Sequence, residues 1–203
     1  MKKALKIALG AAAAVCAVVF AVRIEPLEEH LAAEMAAKFK PEEVADWHWE
    51  HDRARLQDEA LGIGELLSGL KADPQAFCDA HARVLGIGSG SFFVVKGTLE
   101  GFTSDGEYLS GDCEGSLVRI PVKYIFGNLA RDASGWFNLD DFQNTMAFNE
   151  ISSYLNSRIL SDVIPSEIPQ GGSCDFCGAV EVKPAEAIPA SFRVIPYLLE
   201  FHD

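Results

Sequence analysis

From residue 91 onward, apolar and polar positions alternate with the period of two that sends successive side chains to opposite faces of a strand. Phe93, Val95 and Leu99 fall on one face of a strand over 91–102, and Val118, Ile120, Val122, Tyr124 and Phe126 on one face of another over 116–126. Asp105-Gly106 marks a turn ahead of a short strand at 107–109. Two more strands read over 174–182 and 191–201, the last broken by Pro196 and so placed at an edge or bulge. Before residue 86 the period is helical. Pro41-Glu42-Glu43 opens a helix with an approximate stripe of Val44, Trp47, His51 and Leu56. Ile63, Leu66, Leu67 and Leu70 make a second stripe, and Asp73-Pro74 caps a helix through Phe77 and His81. Between the strands, Asn149 caps a helix carrying Ile151, Tyr154, Leu155, Arg158 and Ile159, which ends before Pro165. Five short strands interrupted by one helix predict an α+β fold, a small OB-like, partly open barrel with the N-terminal helices packed alongside.

A different pattern occupies residues 1–23. Lys2, Lys3 and Lys6 precede the uncharged apolar run 7–22, which Arg23 closes. That is the arrangement of an export signal or a single membrane-anchor helix, with the lysines holding the N-terminus in the cytoplasm. Ala21 offers a cleavage position. Cys16 follows the bulky Val15 in the middle of the run, a poor site for lipid attachment, so a retained anchor in the bacterial inner membrane is expected. The chain then divides into the anchor (1–23), a helical membrane-proximal region (24–85) and a barrel (86–203) in the periplasm. Of its 203 residues 17 are Lys or Arg and 30 are Asp or Glu, a net charge of −13. Such a chain repels phosphate backbones, which argues against a nucleic-acid partner.

Four cysteines follow the anchor: Cys78, Cys113, Cys174 and Cys177. Export favours oxidation, so at least one disulfide among them is expected, Cys174 or Cys177 being a member. A Cys3His metal site from Cys78, His81, Cys174 and Cys177 is the alternative, and the same redox argument disfavours it; no metal or cofactor is expected. His48 and His51 lack the H-E-x-x-H arrangement and read as a surface pair beside Trp47 and Trp49. No nucleophile elbow, P-loop or dinucleotide fingerprint is present.

The densest chemistry lies between 127 and 156. Gly127, Arg131-Asp132-Ala133 and Gly135 are followed by Phe137, Asp140-Asp141-Phe142 and Asn144, and then by an amphipathic helix with Leu155-Asn156. This block resembles the signature of the bacterial predicted periplasmic lipoproteins called domain of unknown function 2291, as do the surroundings of Pro26, Pro41 and Phe92. The resemblance implies an OB-like barrel without an established activity and, through gene neighbourhood, a link to sugar importers of the ATP-binding-cassette class. From the residues themselves, Arg131 and Asp132 read as a structural ion pair. Trp136, Phe137 and Phe142 could form a sugar-stacking platform, with Asp140, Asp141 and Asn144 holding hydroxyls. These readings favour a membrane-tethered binding or accessory module over an enzyme. The enzyme alternatives are a glycan hydrolase using Asp140 or Asp141 and a thiol oxidoreductase using Cys174 and Cys177.

Overall fold

Phe92, Phe93 and Val95 follow one another too closely for simple alternation because the strand that carries them is covered on both faces. The computed structural model describes residues 40–85, 90–142 and 145–202; the expectations for the anchor at 1–23 lie outside these. Helices come first: α1 (Pro41–His51), α2 (Arg53–Glu59), α3 (Ile63–Ala72) and α4 (Pro74–His81), with a two-residue strand β1 (Leu61–Gly62) before α3. Next are β2 (Ser91–Ser104), β3 (Tyr108–Cys113) and β4 (Ser116–Pro121), then helix α5 (Leu129–Ser134) and a 3-10 turn (Leu139–Asp141). The long helix α6 (Thr145–Asp162) leads to β5 (Ser173–Val182), β6 (Ser191–Arg193) and β7 (Ile195–His202).

The strands form one sheet in the order β6-β4-β3-β2-β5-β7, with β1 parallel to the start of β2. Strands β6 and β7 are separated by Val194 alone, whose N–H donates to the Arg119 carbonyl at 2.9 Å. One segment therefore supplies both ends of the sheet, parallel to β4 and antiparallel to β5, and the sheet curls into a half-barrel. Pro196 can give no N–H to a ladder, and it stands opposite the irregularity at Cys177/Gly178, as its place in the sequence predicts.

Two apolar cores follow from the two covered faces. Inside the curl, Phe93, Val95, Leu99, Val118, Ile120 and Phe192 meet Leu66 and Leu70 of α3. Outside it, Ala179, Ile195 and Tyr197 of β5–β7 meet Trp49 of α1 and Phe148, Ile151 and Leu155 of α6. Each buried Leu or Ile contributes about 1.5–3 kcal/mol by leaving water. The helices on α1's side are joined by polar contacts as well: Trp49 Nε1 donates to Asp162 at 3.0 Å, and the Tyr154 hydroxyl to Asp46 at 2.7 Å.

Several elements differ from the sequence pattern. Trp47 is 54% exposed and stacks on His51, while Trp49 is the buried tryptophan of α1. Strand β4 stops at Pro121, so Tyr124 and Phe126 stand in a loop under Lys123 and Arg193 instead of in a strand. Helix α6 begins at Thr145, which puts Asn149 inside it and not at its cap. Asp73 does cap α4, accepting from the Ala76 N–H at 3.0 Å. The helices from Lys40 on and the barrel form one unit, Lys40–Asp203, so the boundary expected at 85/86 falls within it.

Candidate functional site

The signature block folds as α5, an exposed 3-10 turn and the first part of α6, with α5 and α6 packed into the outer core. In α5, five consecutive residues from Ala130 to Ser134 are buried, so its polar groups must find partners inside the protein. Arg131 Nε donates to Asp132 at 2.7 Å, its Nη1 donates to the Phe148 carbonyl at 2.9 Å, and its guanidinium lies 3.6 Å from the centre of the Phe148 ring. Burial pushes the Asp132 carboxyl above the usual carboxylate range, and Arg131 partly offsets that by hydrogen bond and charge. Tyr197, fully buried in β7, donates to the Ala130 carbonyl at 2.5 Å, and burial raises its hydroxyl well above the usual value. Helix α5 ends at Gly135, whose φ of 66° is the left-handed conformation that glycine accepts. A side chain there would meet Arg83, whose Nη1 donates to the Ala133 carbonyl at 2.5 Å.

The expected aromatic platform is dispersed. Phe137 is buried, edge-on to Trp136 and Phe142, and Phe142 leans on Phe148. These rings fill the outer core because the block lies directly over it. Asp140 and Asp141 are exposed on the 3-10 turn, where Asn138 Nδ2 reaches Asp141 at 3.3 Å. Asn144 lies outside the described residues.

Trp136 reaches a cleft. Its indole, half-buried, stacks on His48 at 5.8 Å and forms one side of a cavity of about 260 Å³. Around it stand His48, Asp52, Arg55, Glu59 and Arg83. His48 Nδ1 pairs with Asp52 at 2.6 Å, while Glu59 pairs with Arg55 at 2.7 Å and with Arg83 at 3.7 Å. The cleft thus offers a ring face, an imidazole, two carboxylates and two guanidinium groups, with Glu59 shared between Arg55 and Arg83. Such a set can hold hydroxyls, amides or a ligand with charges of both signs. The sequence signal for half of it is the i, i+4 spacing of His48 with Asp52 and of Arg55 with Glu59, which puts each pair on one helical face. Arg83 enters only through tertiary structure.

The cysteines correct another expectation. All four are buried free thiols, and the expected disulfide is not formed. Cys174 and Cys177 are three apart on β5, so they face opposite sides of the sheet: Cys174 lies within the curl, Cys177 behind it. Burial pushes both thiols up to about 12. His81 is exposed on α4 whereas Cys78 is buried, so the Cys3His grouping is not assembled either. A different trio gathers on the barrel surface. Asp175, Glu200 and His202 bring their ligand atoms within 4.8 Å of one another, because β5 and β7 pair Asp175 with Glu200 in register. Thr98 and His202 both hydrogen-bond Asp175 and hold its carboxyl below the usual range.

The fold has a solved counterpart. A crystal structure of an OB-fold protein from Thermotoga maritima superposes with a TM-score of 0.68 at 18% identity, covering 81% of this chain and 99% of that one. At that identity the likeness shows the fold alone. No curated protein matches the chain. Among the described residues no helix is long and apolar enough to cross a membrane. The family profile described as predicted periplasmic lipoprotein matches residues 12–200, a span that includes the apolar run from Ala12, Cys16 and the whole signature block. By that match the chain belongs to the predicted periplasmic lipoproteins of domain of unknown function 2291.

Proposed function

We propose that the protein is a membrane-tethered, extracytoplasmic binding or accessory module, without catalytic activity, whose ligand seats in the cleft at Trp136. The observation that carries this reading is the cleft itself, where the Trp136 indole face and the side chains of His48, Asp52, Arg55, Glu59 and Arg83 surround a cavity of about 260 Å³. A compact polar ligand gains hydrogen bonds there without stranding any side-chain charge. Membership of a periplasmic lipoprotein family supports the location. The resemblance to proteins encoded beside sugar importers supports a transporter of the ATP-binding-cassette class as the partner. Thiol exchange needs an accessible thiolate, and thiols held at about 12 supply almost none at neutral pH, which supports the non-catalytic reading over an oxidoreductase.

Calorimetric titration of the purified full-length chain with amino acids and monosaccharides tests the cleft. A saturable ligand is expected, weakened at least about tenfold by Asp52→Asn with an unchanged melting temperature. Turnover of a glycan that disappears with Asp141→Asn, or of a thiol substrate that disappears with Cys174→Ser, would overturn the reading. Co-purification with the membrane subunits of a sugar importer tests the partner.

A further inference from the structure

A second concave surface lies along α6, on its side facing the loop after β4. This groove has a volume of about 430 Å³, within the range of roughly 300–1,000 Å³ common for small-molecule sites, and no ionised side chain lines it. Its walls are amides and hydroxyls: Asn128 from the start of α5, and Asn149, Ser152, Ser153 and Asn156 from α6. Phe126 stands at its edge with 69% of its surface exposed, Arg193 resting over the ring at 5.3 Å.

The hydrogen-bonding capacity of these groups is not used up within the protein. Ser152 is 4% exposed, lines the groove, and its hydroxyl oxygen is buried with no hydrogen-bond partner among the described residues. An unsatisfied buried hydroxyl costs about 1–3 kcal/mol, so its persistence at a groove wall points to an external partner. Asn156 Nδ2 donates to the Gly127 carbonyl at 2.9 Å, leaving its carboxamide oxygen to accept. Asn149 accepts from Arg131 at 3.3 Å, leaving its amide nitrogen to donate. Asn128 makes no capping bond, so its amide keeps both capacities.

Donors and acceptors are thus interleaved along a wall without a charged side chain, next to the exposed Phe126 ring, over one face of which Arg193 rests. An anion would find no cation lining the walls, and a cation no carboxylate. A hydroxyl group both donates and accepts, and a ring of C–H groups packs on an aromatic face. We infer that this groove is a binding site for a neutral, polyhydroxylated ligand, a mono- or oligosaccharide, separate from the charged cleft at Trp136. The inference does not depend on what occupies that cleft.

The test is titration of the full-length protein with glucose, ribose and maltotriose, up to about 10 mM, by calorimetry. At least one should bind saturably, and Phe126→Ala and Ser152→Ala should each weaken it about tenfold or more. Ser152→Ala should leave the melting temperature unchanged or raised, since it removes a buried hydroxyl without a partner. Asp52→Asn in the other cleft should leave this binding unchanged. Absence of binding by all three sugars, or binding insensitive to both groove variants, would overturn the inference. Sugar binding abolished by Asp52→Asn and not by Phe126→Ala would also overturn it, while leaving the Trp136 cleft as the site.

Discussion

Arg131 is buried among a carboxylate, a carbonyl, an amide oxygen and an aromatic ring. It pairs with Asp132, donates to the Phe148 carbonyl and lies over the Phe148 ring, so it ties α5 to α6. Arg131→Ala leaves Asp132 buried without its counter-ion, and loss of about 3–5 kcal/mol of stability is expected by denaturant titration. A loss below about 1 kcal/mol would mean that the pair contributes no more than a surface ion pair does. The pairing was legible in the sequence because the two residues adjoin each other within a block of small and aromatic neighbours. The thiols were not. Cys174 and Cys177 looked like a pair only because spacing in the chain ignores which face of a strand each occupies. With burial raising both to about 12, neither should react with iodoacetamide at about pH 8 in the folded protein. All four cysteines beyond the anchor should react after denaturation without reductant. Recovery of any disulfide-linked peptide from native protein would contradict the structure.

At the scale of elements, period-two alternation located β4 and β5 because each buries one complete face, and β2 because Phe93, Val95 and Leu99 bury much of one. It overran β4, since Tyr124 and Phe126 keep the alternation in a loop where cations, and not a core, cover their rings. It missed α5 altogether. Six residues make less than two turns, too few for an amphipathic stripe, and all but the first are buried, so no polar face shows. What fixes the helix is its end. Gly135 takes the left-handed conformation and leaves room for Arg83, which clasps the Ala133 carbonyl beside the cleft. Gly135→Ala adds about 1–2 kcal/mol of backbone strain and pushes Arg83 aside. A lower melting temperature is therefore expected together with weaker ligand binding in the cleft. Arg83→Gln, which removes the guanidinium without the strain, should reproduce the binding loss more fully than the stability loss. A Gly135→Ala protein as stable as the parent would show that the close approach is not needed.

The cleft unites residues from three stretches of the chain, 48–59, 83 and 134–136, and no reading along the sequence joins them; only the curled sheet and the helices laid against it do so. The extracytoplasmic location that the family match supports is the opposite case, because a short stretch of the N-terminal sequence predicts it. Lys2, Lys3 and Lys6 precede an apolar run, and an acidic remainder gives the chain a net charge of −13. That charge repels anionic lipid headgroups, so the proposed tether rests on the N-terminal segment and not on the folded surface. Salt separates the two possibilities. A surface held by charge is released as ionic strength rises, whereas apolar burial is not screened, and screening the repulsion here favours retention. The full-length chain should therefore stay in the membrane pellet through a wash at about 1 M salt. Deletion of residues 1–23 should release a folded, acidic domain. Cys16→Ser distinguishes the form of the anchor. If the apolar run holds the protein, as the bulky Val15 before Cys16 suggests, the variant stays in the pellet. Release of the Cys16→Ser protein into the soluble fraction would instead assign the attachment to a lipid on that cysteine.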